Sequence, residues 1–305
     1  MVVLGYGPSA EEQVKRVLAN LTEQGVEPGQ VTVVWNPSAS GQPRPAFDGV
    51  SMILPEQNLG YAGGMNLGIR EQLERAPRLI LLLTMDVHLT PGSLARLCEA
   101  ADEAPRYGVL GPETRYVPGL TFWGQTWSRS GVASPIDTRP EDADGDGVAE
   151  CDTIDGAVFL IKCEVVRQVG LFLDRFFMYY EETELCLRVK RAGWGVGVVL
   201  EAVAEHHPGG FGRLGAYEYL TSRNGLEFAR LLSGNRGVVG AVYRYARESL
   251  NLLEIRLSPR SDQARRRFAS VRLTGMWRGT LDFARRRWGP PPPDLPGIGD
   301  IRVLP

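Results

Sequence analysis

Three groups of polar side chains fall where the hydrophobic patterning of the chain puts turns and strand ends: Asp86 with His88, Glu181 with Glu182 and Glu184, and His206 beside His207. A carboxylate at the carboxyl end of a buried strand is a candidate binding group, because open α/β sheets bind ligands beyond those strand ends. Adjacent carboxylates raise each other's proton affinity, which lets one of them accept a proton near neutral pH. Imidazole ligates metals or donates to phosphate, and two of the three histidines in the chain stand side by side in a Pro-Gly turn. Each group also has a plain structural reading. An Asp after a strand caps a helix or turn, and glutamates at a helix start favour the positive end of its dipole.

The elements that must carry these groups alternate short apolar runs with helical patterns through the first half of the chain, as the βαβ units of a parallel sheet do. Strands are expected over 2–4, 31–35, 50–54, 79–83, 107–110, 154–161 and 196–200, and helices from Ser9 to near Gly25 and over 63–73, 94–101, 163–169 and 182–191. The run 79–83 is five apolar residues long, short enough for a strand buried on both faces, and it delivers Thr84-Met85-Asp86-Val87-His88 to its carboxyl end. Residues 112–153 read as an irregular excursion. Within them Asp142-Ala143-Asp144-Gly145-Asp146-Gly147 imitates the start of an EF-hand loop, but position twelve is Thr153 in place of a bidentate Glu, so a solvated acidic turn is the expectation. From Tyr217 to Trp288 the pattern is helical, with Leu273, Trp277, Leu281, Ala284 and Trp288 on one face, and a Pro290–Pro293 run stiffens the end.

The totals fit a globular enzyme: 305 residues, 34 basic and 36 acidic side chains, a formal charge of −2 and 43% hydrophobic residues. Near-neutral charge argues against a general nucleic-acid binder. Its distribution is uneven, since residues 256–288 hold ten Arg against Asp262 and Asp282. The four cysteines, Cys98, Cys151, Cys163 and Cys186, lack zinc-site spacing and are expected to be reduced and mostly buried. With neither a signal-peptide pattern nor an apolar run long enough to span a bilayer, the expected compartment is the cytoplasm.

Four motifs in order carry a family resemblance over about residues 2–230. They are Asn58-Leu59-Gly60-Tyr61-Ala62-Gly63-Gly64-Met65-Asn66-Leu67-Gly68; Phe176-Phe177-Met178-Tyr179-Tyr180-Glu181-Glu182-Thr183-Glu184-Leu185-Cys186-Leu187-Arg188 with Arg191-Ala192-Gly193-Trp194; His206 with Gly209-Gly210; and Arg223-Asn224. Together they resemble the family-2 inverting glycosyltransferases, especially the rhamnosyltransferase-like branch. The resemblance implies an α/β GT-A fold, a Rossmann-like mixed sheet flanked by helices, with a helical C-terminal extension. The domains expected are a catalytic domain over 1–230, an Arg-rich helical extension over 231–289 and a Pro-rich tail over 290–305.

The same resemblance implies roles. Asp86 keeps the metal-binding carboxylate of the family's acidic motif, Thr84 replaces its first acid, and His206 matches the histidine near the pyrophosphate or metal, giving Mg²⁺ or Mn²⁺ as cofactor. Glu182 stands at the catalytic base, where the family has Asp, with Glu181 as the fallback. Tyr6, Asn36, Asn58, Gly63, Gly64 and Asn66 are expected to line the nucleotide pocket. Trp35 takes the place of a base-binding Asp, either stacking on the base or lying in the core, and Arg223 either meets phosphate or forms a helix-surface ion pair. The activity implied is non-processive, inverting, metal-assisted transfer from a nucleoside-diphosphate sugar, dTDP-deoxysugar first and UDP or GDP sugars behind it, to a hydroxyl or amine on a small-molecule or glycan acceptor. A GT-A-like protein that binds such a sugar without turnover is the alternative. Peripheral contact of the Arg-rich region with an anionic membrane and a homodimer are both left open, and no nucleic-acid partner is expected.

Overall fold

The structure is a computed structural model that describes residues 1–7, 9–37, 45–116, 119–128, 131, 133–142, 144–207 and 214–296. Ser38, Ala143 and Pro208-Gly209-Gly210 of the sequence motifs lie outside them. In chain order the elements are β1 (Val2–Tyr6), α1 (Ala10–Glu23), β2 (Thr32–Asn36), β3 (Ser51–Ile53), α2 (Gly60–Glu74), β4 (Leu79–Thr84), β5 (Val87–Leu89), α3 (Ser93–Glu103), β6 (Tyr107–Tyr116), β7 (Leu120–Phe122), β8 (Gln125–Trp127), β9 (Ala133–Pro135), β10 (Val148–Glu150), β11 (Val158–Lys162), α4 (Cys163–Val169), α5 (Glu181–Arg191), β12 (Gly195–His206), α6 (Leu214–Leu257) and α7 (Gln263–Ala284). They divide into two compact units.

The first unit comprises residues 1–126, 134–174 and 181–208. Its mixed sheet runs β10-β12-β6-β11-β4-β1-β2-β3, with β5 added to β12 and β7 to β6. The β4, β1, β2 and β3 strands are parallel, and β11 enters antiparallel between β4 and β6. α1 buries Val14, Val17 and Leu21 in the core shared with Val3, Val33 and Trp35. α2 lies very close to β1: a Cβ on Gly68 would stand 2.2 Å from Val2 Cγ1, and one on Gly64 2.6 Å from Leu4 Cδ1. Val2 is β-branched and fully buried, so it has little freedom to yield. Gly68→Ala is therefore expected to cost about 2 kcal/mol by overpacking, read as a lower urea midpoint; an unchanged midpoint would remove this packing account.

Two strands run farther than the sequence pattern suggests. β12 continues to His206 and β6 to Tyr116 because their parallel pairing resumes after an irregularity between Val199 and Val203. The strand expected from residue 154 begins only at Val158. Before it, Asp155 Oδ1 accepts the Ala157 N–H at 2.9 Å, so this backbone folds into a local turn instead of joining the ladder.

The second unit comprises residues 127–133, 175–180 and 209–305. α6 breaks at Gly234, which adopts φ 61° and ψ −147°, a conformation that favours glycine. Its arms, 214–233 and 235–257, fold back on each other, with Gly237 against Ala229 and Tyr245 Oη donating to the Thr221 carbonyl at 3.3 Å. α7 packs on both arms, burying Ala269, Leu273 and Met276 with Leu252 and fitting Gly275 and Gly279 against Gly215 and Tyr219. The arm 214–233, expected to close the catalytic domain at 230, groups with the helices that follow it, which cover its apolar face. The helical stripe read from the sequence splits: Leu273 is buried, while Trp277 and Leu281 are about half exposed. No described helix is long and apolar enough to cross a membrane.

Candidate active site

All the residues that converge on one edge of the first unit's sheet are placed there by strand register. β4 ends at Thr84, and β5 returns antiparallel to β12 with Val87 opposite His206. The His207 N–H donates to the Asp86 carbonyl at 2.8 Å, tying the Asp86 backbone to the histidine pair. β6 runs parallel to β12 with Tyr116 opposite His206. β11 opposes β4 with Val158 against Leu83, and the Thr84 N–H donates to the Ala157 carbonyl at 3.0 Å. An antiparallel strand starts where its neighbour ends, so Asp155 arrives at the same edge as Asp86.

His206 lies between two carboxylates, its Nε2 3.4 Å from Asp86 Oδ1 and its Nδ1 3.7 Å from Asp155 Oδ2. Burial works to lower the imidazole, but Asp155 and Asp86 reverse this and push it up to about 10, so it is positively charged at neutral pH. Burial works to raise both carboxyls, and the His206 imidazole overrides it, holding each below the usual carboxylate range. Tyr116 donates its hydroxyl to Asp155 Oδ2 at 2.5 Å and sets its ring 5.0 Å from the His206 ring. Three buried polar atoms here lack a hydrogen-bond partner: Thr84 Oγ1, Asp86 Oδ1 and His206 Nδ1.

Glu181 and Glu182 begin α5. Glu182 is half-buried and accepts from Thr183 Oγ1 at 3.3 Å. Burial, with Asp155 adding to it, pushes its carboxyl up to about 7. Glu181 is 4% exposed, its Oε2 has no partner, and burial and Glu182 hold it well above the usual carboxylate range. The two clusters meet at Asp155-Gly156. A Cβ on Gly156 would lie 3.6 Å from Glu182 Cγ and 3.5 Å from Tyr61 Oη, and Tyr61 donates to the Gly156 carbonyl at 2.5 Å. Asp86, His206, Asp155, Tyr116, Tyr61 and Glu182 thus form one continuous polar constellation. A charged carboxylate–imidazole edge and a carboxylate with an affinity for protons near neutrality stand within it.

Several residues expected at the nucleotide have other work. Asn36 Nδ2 donates to the Gly60 carbonyl at 2.7 Å and its Oδ1 accepts the Leu59 N–H, while Asn58 Oδ1 accepts the Gly60 N–H; both shape the start of α2. Asn66 donates to the Phe172 carbonyl and to Asp174 and accepts the Phe172 N–H. Gly63 packs against Leu59 as Gly64 does against Leu4. Trp35 is 7% exposed, 6.4 Å from the Phe47 ring, and fills the space left by Gly5; of its two readings the core one stands. Tyr6 closes β1, with its N–H on Met85 Sδ at 3.2 Å, beside the site.

Arg223 belongs to the second unit and matches neither of its expected roles. It is fully buried, and its guanidinium donates to the carbonyls of Gly289 (2.8 Å) and Phe176 (3.2 Å) and to Asn224 Oδ1. Asn224 in turn donates to the carbonyls of Phe176, Met178 and Tyr179. Phe177, Tyr179 and Tyr180 hold positive φ there, so Arg223-Asn224 holds a strained backbone loop. Arg223→Met is expected to lower stability by about 3 kcal/mol through unpaired buried carbonyls with nucleotide affinity unchanged; melting curves beside a nucleotide titration check both halves.

His88 is exposed on β5, and His207 is exposed 3.6 Å from Glu205. Glu184 is tied to Arg188, which also donates to the Leu171 carbonyl at 2.7 Å. In the acidic turn Asp142 accepts the N–H groups of Gly145 and Gly147, and Arg106 pairs with Asp144 and Asp146. Cys151, Cys163 and Cys186 are buried free thiols. The sequence reading missed Asp155, Tyr116 and Tyr61. Only Tyr61 left a signal, as the one side chain with a hydroxyl inside the glycine-rich motif.

No family model matches the chain. The N-acetylglucosaminyl-diphospho-decaprenol L-rhamnosyltransferase of Mycobacterium tuberculosis is 28% identical over 236 residues, covering 68% of this chain and 75% of that protein. The low-salt glycan biosynthesis hexosyltransferase Agl10 of Haloferax volcanii is 26% identical over 206 residues, 65% of this chain and 63% of its own length. Among solved structures, GalNAc-T7 with UDP, GalNAc and Mn²⁺ superposes with a TM-score of 0.60 at 13% identity, over 95% of this chain and 58% of the other. The mannosyltransferase of Pyrobaculum calidifontis in complex with GDP-Man and Mn²⁺ gives 0.51 at 12% identity, over 94% and 86%. The chain therefore spans less than two thirds of the hexosyltransferase and of GalNAc-T7. The fold is that of the GT-A glycosyltransferases, and in sequence the chain is similar to a rhamnosyltransferase and a hexosyltransferase.

Proposed function

We propose that the protein moves one sugar per encounter from a nucleoside-diphosphate sugar to an acceptor hydroxyl or amine, with inversion at the anomeric carbon. The observation that carries this reading is the convergence of Asp86 and His206 with Glu182 through Asp155-Gly156. Displacement needs positive charge on the departing diphosphate and, on the opposite face of the sugar, a base for the incoming nucleophile. Glu182 is the base: it is half-buried and its carboxyl is pushed up to about 7, whereas Glu181 is enclosed and held well above the usual carboxylate range.

A divalent cation fits the other end. Asp86 Oδ1 and Thr84 Oγ1 are buried oxygens without hydrogen-bond partners, Asp86 Oδ1 having only the His206 ring at 3.4 Å, and oxygen is the donor type that Mg²⁺ and Mn²⁺ prefer. Among the described residues no three of His, Cys, Asp and Glu form a complete ligand set, in keeping with a cation that takes most of its ligands from phosphate and water. Bound there, it would neutralise the leaving diphosphate. Asp86 would hold it, with His206 as a ligand once deprotonated or, as imidazolium, as a donor to the phosphates. The Mn²⁺ in two of the similar structures supports this reading. One observation favours a cation-independent version: His206, at about 10, is itself a positive charge at this edge.

The donor with first claim is a dTDP-deoxysugar, from the similarity to a rhamnosyltransferase, with UDP and GDP sugars next. The experiment is a panel of dTDP, UDP and GDP sugars, each with Mn²⁺ and with chelator, assayed for hydrolysis and for nucleotide binding. Cation-dependent turnover of one donor class is the expected result. Turnover that survives chelation selects the imidazolium version, and tight binding with no turnover of any donor replaces transfer by sugar-nucleotide binding alone.

A further inference from the structure

The helical unit carries an apolar surface that its own fold leaves uncovered. In the arm 235–257, Gly237, Ala241, Ser249 and Leu252 are buried. On the opposite side stand Val239, Tyr243, Ala246, Leu250, Leu253 and Leu257, all exposed, the outermost of them by about 70% of their surface: Val239 69%, Tyr243 71%, Leu250 67% and Leu257 75%. Their spacing alternates four and three residues. That is the 3.5-residue repeat of a seam between two helices, narrower than the face an amphipathic helix lays on a core.

We propose that the C-terminal half of this seam, Ala246 to Leu257, is a homodimer interface, in which the 235–257 arms of two copies pack antiparallel about a two-fold axis. The charges beside the seam decide both partner and register. Arg247 and Glu254 flank it on the same side, seven residues apart, and neither has an ion-pair partner among the described residues. In an antiparallel pair that sets Leu250 on Leu253 of the partner subunit, the small Ala246 faces Leu257 of the partner subunit, and Arg247 meets Glu254 of the partner subunit. The two-fold repeats each contact, so the surface is complementary to itself. Sliding by one heptad would cover more of the seam but bring Arg247 against the partner's Arg247. An anionic bilayer is the competing occupant of an apolar stripe near basic residues. Glu254, between Leu253 and Leu257, would then be pressed toward lipid phosphates, whereas a second copy offers it a cation.

Sedimentation equilibrium of the full chain across a micromolar concentration series tests the proposal. The expected result is reversible association to twice the 33.6 kDa chain mass. Leu250→Glu, at an exposed position, abolishes it with an unchanged far-UV circular dichroism spectrum. Arg247→Glu and Glu254→Arg alone each weaken the dimer roughly tenfold, and the double exchange restores it. A monomer at every concentration overturns the proposal, as does a dimer indifferent to Leu250→Glu or a double exchange no better than the singles. Flotation with phosphatidylglycerol vesicles by a chain that stays monomeric assigns the stripe to membrane instead.

Discussion

Glu182→Gln is expected to abolish glycosyl transfer and, at pH 8, to raise the stability of the fold. The rate loss follows from removal of a general base, an effect of about 10³-fold, with donor binding retained because the amide keeps the shape of the carboxyl. The stability gain follows from burial. The folded-state carboxyl sits at about 7 against an ordinary 4.5, so folding favours its neutral form. That contribution is complete below the ordinary value and is lost as pH rises through about 7. At pH 8 the folded protein therefore carries a strained carboxylate worth on the order of 3 kcal/mol, which glutamine relieves, while at pH 4 the variant and the parent melt alike. For the parent, kcat/KM rises with pH and levels off above about 7. A variant that keeps its rate, or a profile flat from pH 5 to 8, would remove Glu182 from the chemistry.

Asp86→Asn gives the second large effect, at the other end of the site. The amide retains the turn geometry but gives up the charge that holds a cation, so transfer should fall by about 10³ and the Mn²⁺ concentration for half-maximal rate should rise. His206 keeps only Asp155 as a charged neighbour, and its imidazole falls toward the ordinary range. The discriminating measurement is nucleotide binding with and without Mn²⁺. The parent should show a cation-dependent increase in melting temperature on adding nucleoside diphosphate, and the variant should show none. Equal increases in both proteins would mean that the carboxylate serves only the fold.

These two residues were visible in the sequence because each stands in a local pattern: an acid after a buried apolar run, and paired acids opening a helix. Asp155 and Tyr116 have no such pattern. They meet His206 only because β11 runs against β4 and β6 runs with β12, a matter of register between strands far apart in the chain. The glycine-rich motif was legible as a motif, but its packing work was not. Its glycines and asparagines allow α2 to start beside β2 and lie close on β1, a packing requirement that also produces a tight spacing of small and amide residues. For Trp35 the period of two along β2 decided the matter, since it shares the α1 side with Val33.

The order and type of the main strands and helices and the residues at the tips of β4, α5 and β12 followed from local spacing, because hydrophobic periodicity and caps act over a few residues; the fold class followed from the family motifs, and the short strands β5 and β7 to β10 were not legible. The partners of those tips, which carboxyl of the Glu181-Glu182 pair is the less buried, the structural burial of Arg223 and the bare seam on the 235–257 arm were decided by the tertiary structure alone. Burial, and the proton affinities and pairings that follow from it, depends on atoms that the chain brings together only when strands and helices far apart in sequence are packed.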